Sequence, residues 1–577
     1  MKKLFLYLKP YTNYIIFALI VVFMQAISEL FLPTLMSNIV DIGIAKGDIN
    51  YILKIGGIML LVAAIGTVCA TAASYLSSKT AMGFGRDLRY KVFETAQNFS
   101  LNEFNQMGSS TLITRTTNDI TQIQQVIVIM LRMMITAPLM CIGGIIMAVS
   151  QDKTLSSIII VVIPIMALVI ALVAAKGMPL FKSMQAKLDR LNLVLRENLT
   201  GIRVIRAFNR EDYEKKRFNK ANKDLTDTTM KVFKLMAILM PSISLIMNFT
   251  TIAIIWFGGM RVSSGHMQIG SLMAFIQYVM QIMFSLIMFS MMFVIIPRAS
   301  VSAARINEVI DMVPDIDDPL TPLGKDVNDK KGYVEFKDVT FSYPNAEKPV
   351  LSNISFFAKP GEVTAIIGGT GSGKSTLINL IPRFYDVKSG NVLINDIDVR
   401  EMAQKDLRQK IGFVPQKAVL FTGTISDNIR YGKEDATMDE IEYAAKVAQA
   451  TEFISGMEDG FESFISQGGT NVSGGQKQRI SIARALVRKP EIYIFDDSFS
   501  ALDFKTDAKL RKALKGEIKN ATMIVVAQRV STVMDADQII VLDEGKIAGI
   551  GRHKELLKSC KIYREIVSSQ LSEEELQ

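Results

Sequence analysis

Six blocks of apolar residues, each long enough to cross a lipid bilayer, crowd into the first 300 positions of a 577-residue chain. They lie at roughly 14–37, 55–77, 133–150, 155–175, 236–259 and 271–297. About 20 apolar residues in a helix match the ~30 Å hydrocarbon core. A segment in lipid must satisfy its own backbone polar groups, so blocks of this length predict membrane-spanning helices. The alternative, buried helices of a large soluble core, needs polar helix to cover them, and residues 1–300 do not supply it in the right places. Hydrophobic residues make up 49% of the chain, and its length calls for two or more domains.

The net charge of +9 could suggest a nucleic-acid partner, but its distribution argues against one. Lys79, Arg86, Arg89, Lys91, Arg115 and Arg132 lie between the second and third blocks, and fifteen more Lys and Arg lie in 176–235. The alternate loops hold only Lys46, Lys54, Lys153 and Arg261. Positive residues favour the cytoplasmic side. The asymmetry therefore places the amino terminus, both long loops and everything after residue 297 in the cytoplasm of a multi-pass protein of the cell membrane. MKKLFLYLKP, Met1–Pro10, is broken by Lys9 and Pro10 and reads as a short interfacial helix rather than a cleavable signal. Cys69, Cys141 and Cys560 form no disulfide framework or zinc pattern.

The two long loops carry apolar residues at helical spacing, as if spans ran on into the cytoplasm. SAARINEVIDM continues the sixth span, and residues 312–332, rich in Pro, Asp and Gly, read as a linker. From Tyr333 to the end, short β-rich runs alternate with helices, the pattern of an α/β domain. The domain expectation is thus 1–311 membrane-spanning, 312–332 linker and 333–577 cytoplasmic. Within the last, VTAIIGGTGSGKST is a strand, then GxxxxGK[ST], then a helix start. Gly368, Gly369, Thr370, Gly371, Ser372 and Gly373 form a loop whose glycines let backbone N–H groups face phosphates. Lys374 is suited to β- and γ-phosphates, and Ser375, beside Thr376, to Mg2+. NVSGGQKQR opens a second helix with a glycine-rich amino terminus, another anion-binding end. The strand IYIF follows, ending in Asp496, a second magnesium anchor.

With VSGGQ (Val472–Gln476), FSYP, GFVPQ and SALD (Ser500–Asp503) in this order, the chain resembles the ATP-binding cassette superfamily. ENLTGIRVIRAFNRE, GSSTLITRTTNDI and SAARINEVID resemble its exporter branch, with six long helices per half-transporter. The resemblance implies that Tyr343 stacks on adenine and that Gln416 touches Mg2+ and senses the membrane half. It implies that Ser473, Gly474, Gly475 and Gln476 face a partner's ATP, with Asp503 in a loop at the dimer interface. In that family two halves pair, helices four and five cross to the partner, and two ATP molecules are sandwiched between cassettes. Phe104–Thr111 and Gly201–Phe208 would be the coupling segments.

Two positions depart from the family pattern. Asp497 stands where Glu follows the magnesium aspartate, and Gln528 stands where a His is expected. The chain has two histidines, His266 and His553, both read as surface residues. A carboxylate one methylene short sits about an ångström from its working position, which can cost roughly a hundredfold. Losing general-base help costs about 10² to 10⁴. Gln528 can hydrogen-bond a phosphate but carries neither proton nor charge. Binding of ATP and Mg2+ is expected to survive and turnover at this site is not.

The intact VSGGQ then suits one subunit of a heterodimeric multidrug or lipid exporter, an ATP hydrolase coupled to transport, whose partner half-transporter completes a competent site. Gln467 stands where many such exporters have Glu. The alternatives are a slow homodimeric exporter and an ATP-gated channel or nucleotide-binding regulator. No peptidase segment precedes the first span, an expectation against a leader-processing peptide exporter. Met280, Met283, Met288, Met291 and Met292 in the sixth span suit either an adaptable apolar cargo surface or plain packing. Glu29 could face a cationic cargo or a wet vestibule, and Gln277 and Gln281 could line the cavity. Pro33, Pro138, Pro164, Pro241 and Pro297 are expected to kink or end spans.

Overall fold

A computed structural model describes residues 3–323, 331–344, 346–517 and 519–570. Positions 324–330 of the expected linker lie outside the described residues. Two compact units form, one within Met1–Gln97 and Ser109–Met312, the other within Asn98–Gly108 and Val313–Gln577.

The first unit contains six helices long and apolar enough to span a membrane: Leu4–Ile44, Ile49–Gln97, Ser109–Gln151, Ser157–Thr200, Glu211–Ser263 and Ile269–Ile310. All six apolar blocks fall on them. The 53-residue fifth helix is about 80 Å long at 1.5 Å per residue, far beyond the hydrocarbon thickness. The five prolines singled out above all stay inside continuous helix and none ends a span. A 3-10 helix, Leu4–Tyr11, leads into the first span.

Lipid tails are as apolar as leucine, so hydrophobicity alone does not glue these helices together; close packing and polar links do. Gly143 and Gly144 leave room for Leu30 and Ile282, which a Cβ would meet at 2.3 and 2.8 Å. Tyr278, wholly buried in the sixth span, shares a hydrogen bond with Thr34 and donates to Leu30 O at 3.0 Å in the first. Asp119 accepts from Ser302 at 2.8 Å, joining the third span to the sixth. At the opposite ends Arg261 Nε donates to the buried Asp152 at 2.6 Å, and Asp152 also accepts from Leu155 N. A single π turn, Ile39–Ile44, turns Asp41 toward the start of the sixth span. There its carboxylate accepts from the N–H groups of Gly270 and Ser271, the latter at 2.9 Å. The helix amino terminus thus obtains an acceptor from another helix.

The second unit has three sheets among its described residues. A four-stranded antiparallel sheet runs Leu351–Ala358, Val334–Phe341, Ser389–Ile394, Ile397–Asp398. A six-stranded sheet runs Lys546–Gly551, Gln538–Asp543, Val363–Gly368, Thr522–Val526, Ile492–Asp496, Ile411–Val414, parallel except at its first edge. Its central strands read as near-continuous apolar runs because helices and the other sheet cover both faces. A two-stranded ribbon pairs Gly423–Thr424 with Phe464–Ile465.

The short helix Leu101–Met107 belongs to this second unit. Its Asn102 donates to Asp315, its Glu103 accepts from Asp315 N at 3.3 Å, and Asn105 hydrogen-bonds Tyr385. The equivalent helix Ile202–Ala207 stays with the first unit, where Val204 and Phe208 are exposed. The cysteines Cys69, Cys141 and Cys560 are unpaired. One reading needs correction: His266 is exposed, but His553 is half-buried and its Nδ1 shares a 2.7 Å hydrogen bond with the hydroxyl of the buried Tyr563.

Asp41→Ala removes the acceptor for two helix-terminal amides. It is expected to cost about 1–3 kcal/mol and to lower the thermal midpoint of the protein in detergent, while Lys46→Ala, at an exposed position, leaves that midpoint unchanged.

Candidate nucleotide site

The site is built at the carboxyl ends of three neighbouring parallel strands, where α/β sheets place their ligands. Val363–Gly368 delivers the glycine loop, Ile492–Asp496 delivers the paired aspartates, and Thr522–Val526 leads to Gln528. Glycine is required at two points. Gly373 has φ +98°, and a Cβ there would meet Leu351 at 2.8 Å; a Cβ on Gly368 would collide with the carbonyl of Leu542.

Lys374, buried, folds back over the loop and donates to the carbonyls of Gly368 at 2.9 Å and Gly369 at 2.7 Å. Burial lowers its pKa, opposed by the charges of Asp497 and Asp496. Ser375 Oγ donates to Asp496 Oδ1 at 3.0 Å. The two expected magnesium anchors, 121 positions apart in sequence, therefore touch. Burial raises the pKa of Asp496, with the Ser375 hydrogen bond opposing. A hydroxyl and a carboxylate form the hard-oxygen set that suits Mg2+, which takes its remaining ligands from phosphates and water. Among the described residues no group of three or more His, Cys, Asp or Glu could hold a metal ion.

Asp497 adopts φ +46° and its N–H donates to Val526 O at 2.9 Å, so the aspartate pair turns sharply off the strand. Its Oδ2 accepts from Gln528 Nε2 at 3.2 Å and lies 3.5 Å from Gln416 Nε2. Burial raises its pKa, while hydrogen bonds from Gln416 and Ser500 pull it back. The two residues that depart from the family pattern are thus hydrogen-bonded to each other, and Asp497 also lies beside Gln416. Tyr343 shares a 2.9 Å hydrogen bond with Thr376 and packs edge-on against Tyr385 and Phe341, at the rim of the same site.

Ser473, Gly474, Gly475 and Gln476 stand apart, with no hydrogen bond to this cluster among the described residues. Ser473 caps the helix Gly474–Leu486 in a reciprocal box: its Oγ accepts from Gln476 N at 3.3 Å, and its N–H donates to Gln476 Oε1 at 2.8 Å. A Cβ on Gly474 would meet only open space. The helix end is exposed and ready for an anion. Asp503 accepts from Thr506 N at 2.9 Å as the start of Phe504–Glu517, and that hydrogen bond lowers its pKa.

One participant escaped sequence reading. Gln570 donates through Nε2 to Gln528 O and accepts through Oε1 from Val530 N, both at 2.8 Å, so one amide grips the Gln528 loop by its backbone on both sides. The helix before it, Lys561–Ser568, buries Tyr563 and Val567 in the core. Its i, i+1, i+4, i+5 apolar spacing at Ile562, Tyr563, Ile566 and Val567 was the signal that this helix docks. Nothing in the sequence marks where Gln570 lands. Gln570→Ala is expected to speed hydrogen exchange of the Val530 amide about tenfold, with distant core amides such as Ile494 unaffected.

With this geometry in place, two family models match: an ABC transporter transmembrane region over residues 15–286 and an ABC transporter domain over residues 351–500. The chain is 44% identical over 567 residues to the ABC transporter ATP-binding protein MT1311 of Mycobacterium tuberculosis (strain CDC 1551 / Oshkosh), covering 98% of this chain and 97% of that protein. It is 36% identical to an ATP-dependent lipid A-core flippase of Desulfotalea psychrophila (strain LSv54 / DSM 12343), over 82% of each. A bacterial Atm1-family ABC exporter solved with ATP bound superposes with a TM-score of 0.81 at 26% identity, over 97% of this chain and 99% of that one.

Proposed function

The chain belongs to the ABC transporter family, and from that premise we propose that it is one half of a heterodimeric exporter whose own ATP site binds but hydrolyses poorly. The α/β unit is an ATPase domain and the six spans are an exporter's membrane half. We place the cassette in the cytoplasm on the charge asymmetry of the loops. The relative named a lipid A-core flippase supports hydrophobic or amphipathic compounds as cargo.

The observation that carries the reading is the contact between Asp497 and Gln528. A base at position 497 must reach the water behind the terminal phosphate, and Asp is one methylene shorter than Glu. The amide at 528 spends a donor on that carboxylate and offers no positive charge to the developing phosphate charge. Binding draws on other residues. Lys374 exchanges its hold on the Gly368 and Gly369 carbonyls for phosphate oxygens, and the loop amides follow. Ser375 and Asp496, with Gln416, would hold Mg2+, which when bound neutralises phosphate charge. The open helix end at Ser473–Gln476 would complete an ATP site on a partner half-transporter that supplies the missing Glu and His.

The purified chain alone is expected to bind ATP yet turn it over at least tenfold more slowly than the complex with its partner. Asp497→Glu with Gln528→His is expected to raise turnover by the lone chain or complex by about 10². Rapid hydrolysis by the lone chain that collapses in Asp497→Asn would refute the impaired site. ATP-driven accumulation in reconstituted vesicles separates a pump from a gated channel, which would give only flux down a gradient.

A further inference from the structure

The membrane unit contains a cavity of about 320 Å³ between its first, third and sixth spans. Gln25, Arg132 and Thr136 give it a polar side, and Val22, Met133 and Met288 an apolar one. Arg132 and Thr136 are one helical turn apart in the third span, so both point to the same face.

Arg132 lines the cavity. In this unit Arg86, Arg115, Arg217, Arg261 and Arg305 each lie beside a carboxylate, whereas Arg89, like Arg132, hydrogen-bonds a neutral side chain rather than a carboxylate. Arg132 has none among the described residues; its one hydrogen bond runs from Nη1 to Ser74 Oγ at 3.2 Å, a neutral partner. Counted back from Gln151 at 1.5 Å per residue, Arg132 lies about 28 Å along the helix, at the edge of the hydrocarbon. A half-buried guanidinium there favours an anion, and no described residue supplies one. Glu29 does not fill that role. It does not line the cavity, and its Oε1 accepts from Gln25 Nε2 at 2.9 Å. Gln281, offered above as a cavity residue, donates instead to Glu29 O at 3.3 Å.

We propose that this cavity binds an amphipathic molecule with an anionic headgroup, carboxylate or phosphate, on Arg132, with its alkyl chain against Met133, Met288 and Val22. The guanidinium pairs with the headgroup in two-pronged geometry, Thr136 and Gln25 add neutral hydrogen bonds, and the two methionines adapt to chains of different shape. A cation is disfavoured by the same charge. The volume is at the small end of ligand sites, room for a headgroup and the first part of a chain. That this ligand is cargo rests on the exporter reading; that the site selects anions rests on Arg132 alone.

The test is photo-crosslinking of full-length protein in phosphatidylcholine nanodiscs, without nucleotide, using a diazirine-bearing fatty acid and its uncharged methyl ester. Label is mapped by peptide mass spectrometry. The acid is expected to label the third-span peptide at least tenfold more than the ester. Arg132→Gln should equalise the two, Arg132→Lys should keep most of the preference, and dodecyl phosphate should compete where inorganic phosphate does not. Equal labelling by acid and ester, or a preference that survives Arg132→Gln, overturns the site. If Arg132→Gln does not fold, Thr136→Val, which changes no charge, decides the matter: an unchanged acid-to-ester ratio there, with dodecanol competing as well as dodecyl phosphate, overturns it. Competition by inorganic phosphate equal to that of dodecyl phosphate overturns the amphipathic ligand. Loss of labelling in phosphatidylglycerol nanodiscs overturns the cargo assignment in favour of bulk lipid. A preserved preference in protein whose vesicles accumulate nothing would sink the exporter reading and leave the site standing.

Discussion

A backbone amide inside hydrocarbon has no water to turn to, and most of the first unit follows from that. Its spans are helices because only a helix closes its own hydrogen bonds within one segment. They cannot be held together by hydrophobicity, since lipid offers the same environment as a neighbouring leucine. The links that hold them are therefore few, polar and placed where two helices come close: Tyr278 with Thr34 and Leu30, Asp119 with Ser302, Asp41 on the start of the sixth span. Small residues such as Gly143 and Gly144 permit the approach. The same rule singles out Arg132, a charge at the hydrocarbon edge whose partner among the described residues is the neutral Ser74.

The second unit obeys the opposite accounting. The central strands of its six-stranded sheet are buried on both faces in an ordinary core, so charge can be concentrated at one edge of that sheet. Lys374, Ser375, Asp496, Asp497 and Gln528 gather at the carboxyl ends of three parallel strands, where the chain leaves the sheet and side chains are free to face a ligand. Burial pushes the aspartates toward the neutral form and the lysine away from its charged form. At the same edge Gln528 donates to Asp497, the contact on which the proposal of slow hydrolysis rests.

Much of this was legible beforehand. The spans could be located because hydropathy over 20 residues is a composition property that needs no tertiary contact. The glycine loop and the VSGGQ turn could be read because glycine and phosphate chemistry fix residue types at short, local spacing. The roles of Tyr343 and Gln416 came from resemblance, and the structure adds that Tyr343 is tied to Thr376 and Gln416 lies beside Asp497. The surface reading of His553 failed because its partner, Tyr563, is brought under it by a helix that begins eight positions later, and polarity alone gives no sign of that.

By itself the amino-acid sequence determined that the chain crosses a membrane six times, that an α/β ATPase domain follows, and that positions 497 and 528 lack the usual side chains. These are facts of residue type, and residue type is local. Only the tertiary structure decided that those two side chains touch, that Gln570 holds the backbone on either side of Arg529, that Asn98–Gly108 packs with the second unit rather than the first, and that Arg132 faces a cavity with no carboxylate among the described residues to meet it. Each depends on which groups from distant parts of the chain arrive within about 3 Å of one another, and spacing along a sequence does not encode that distance.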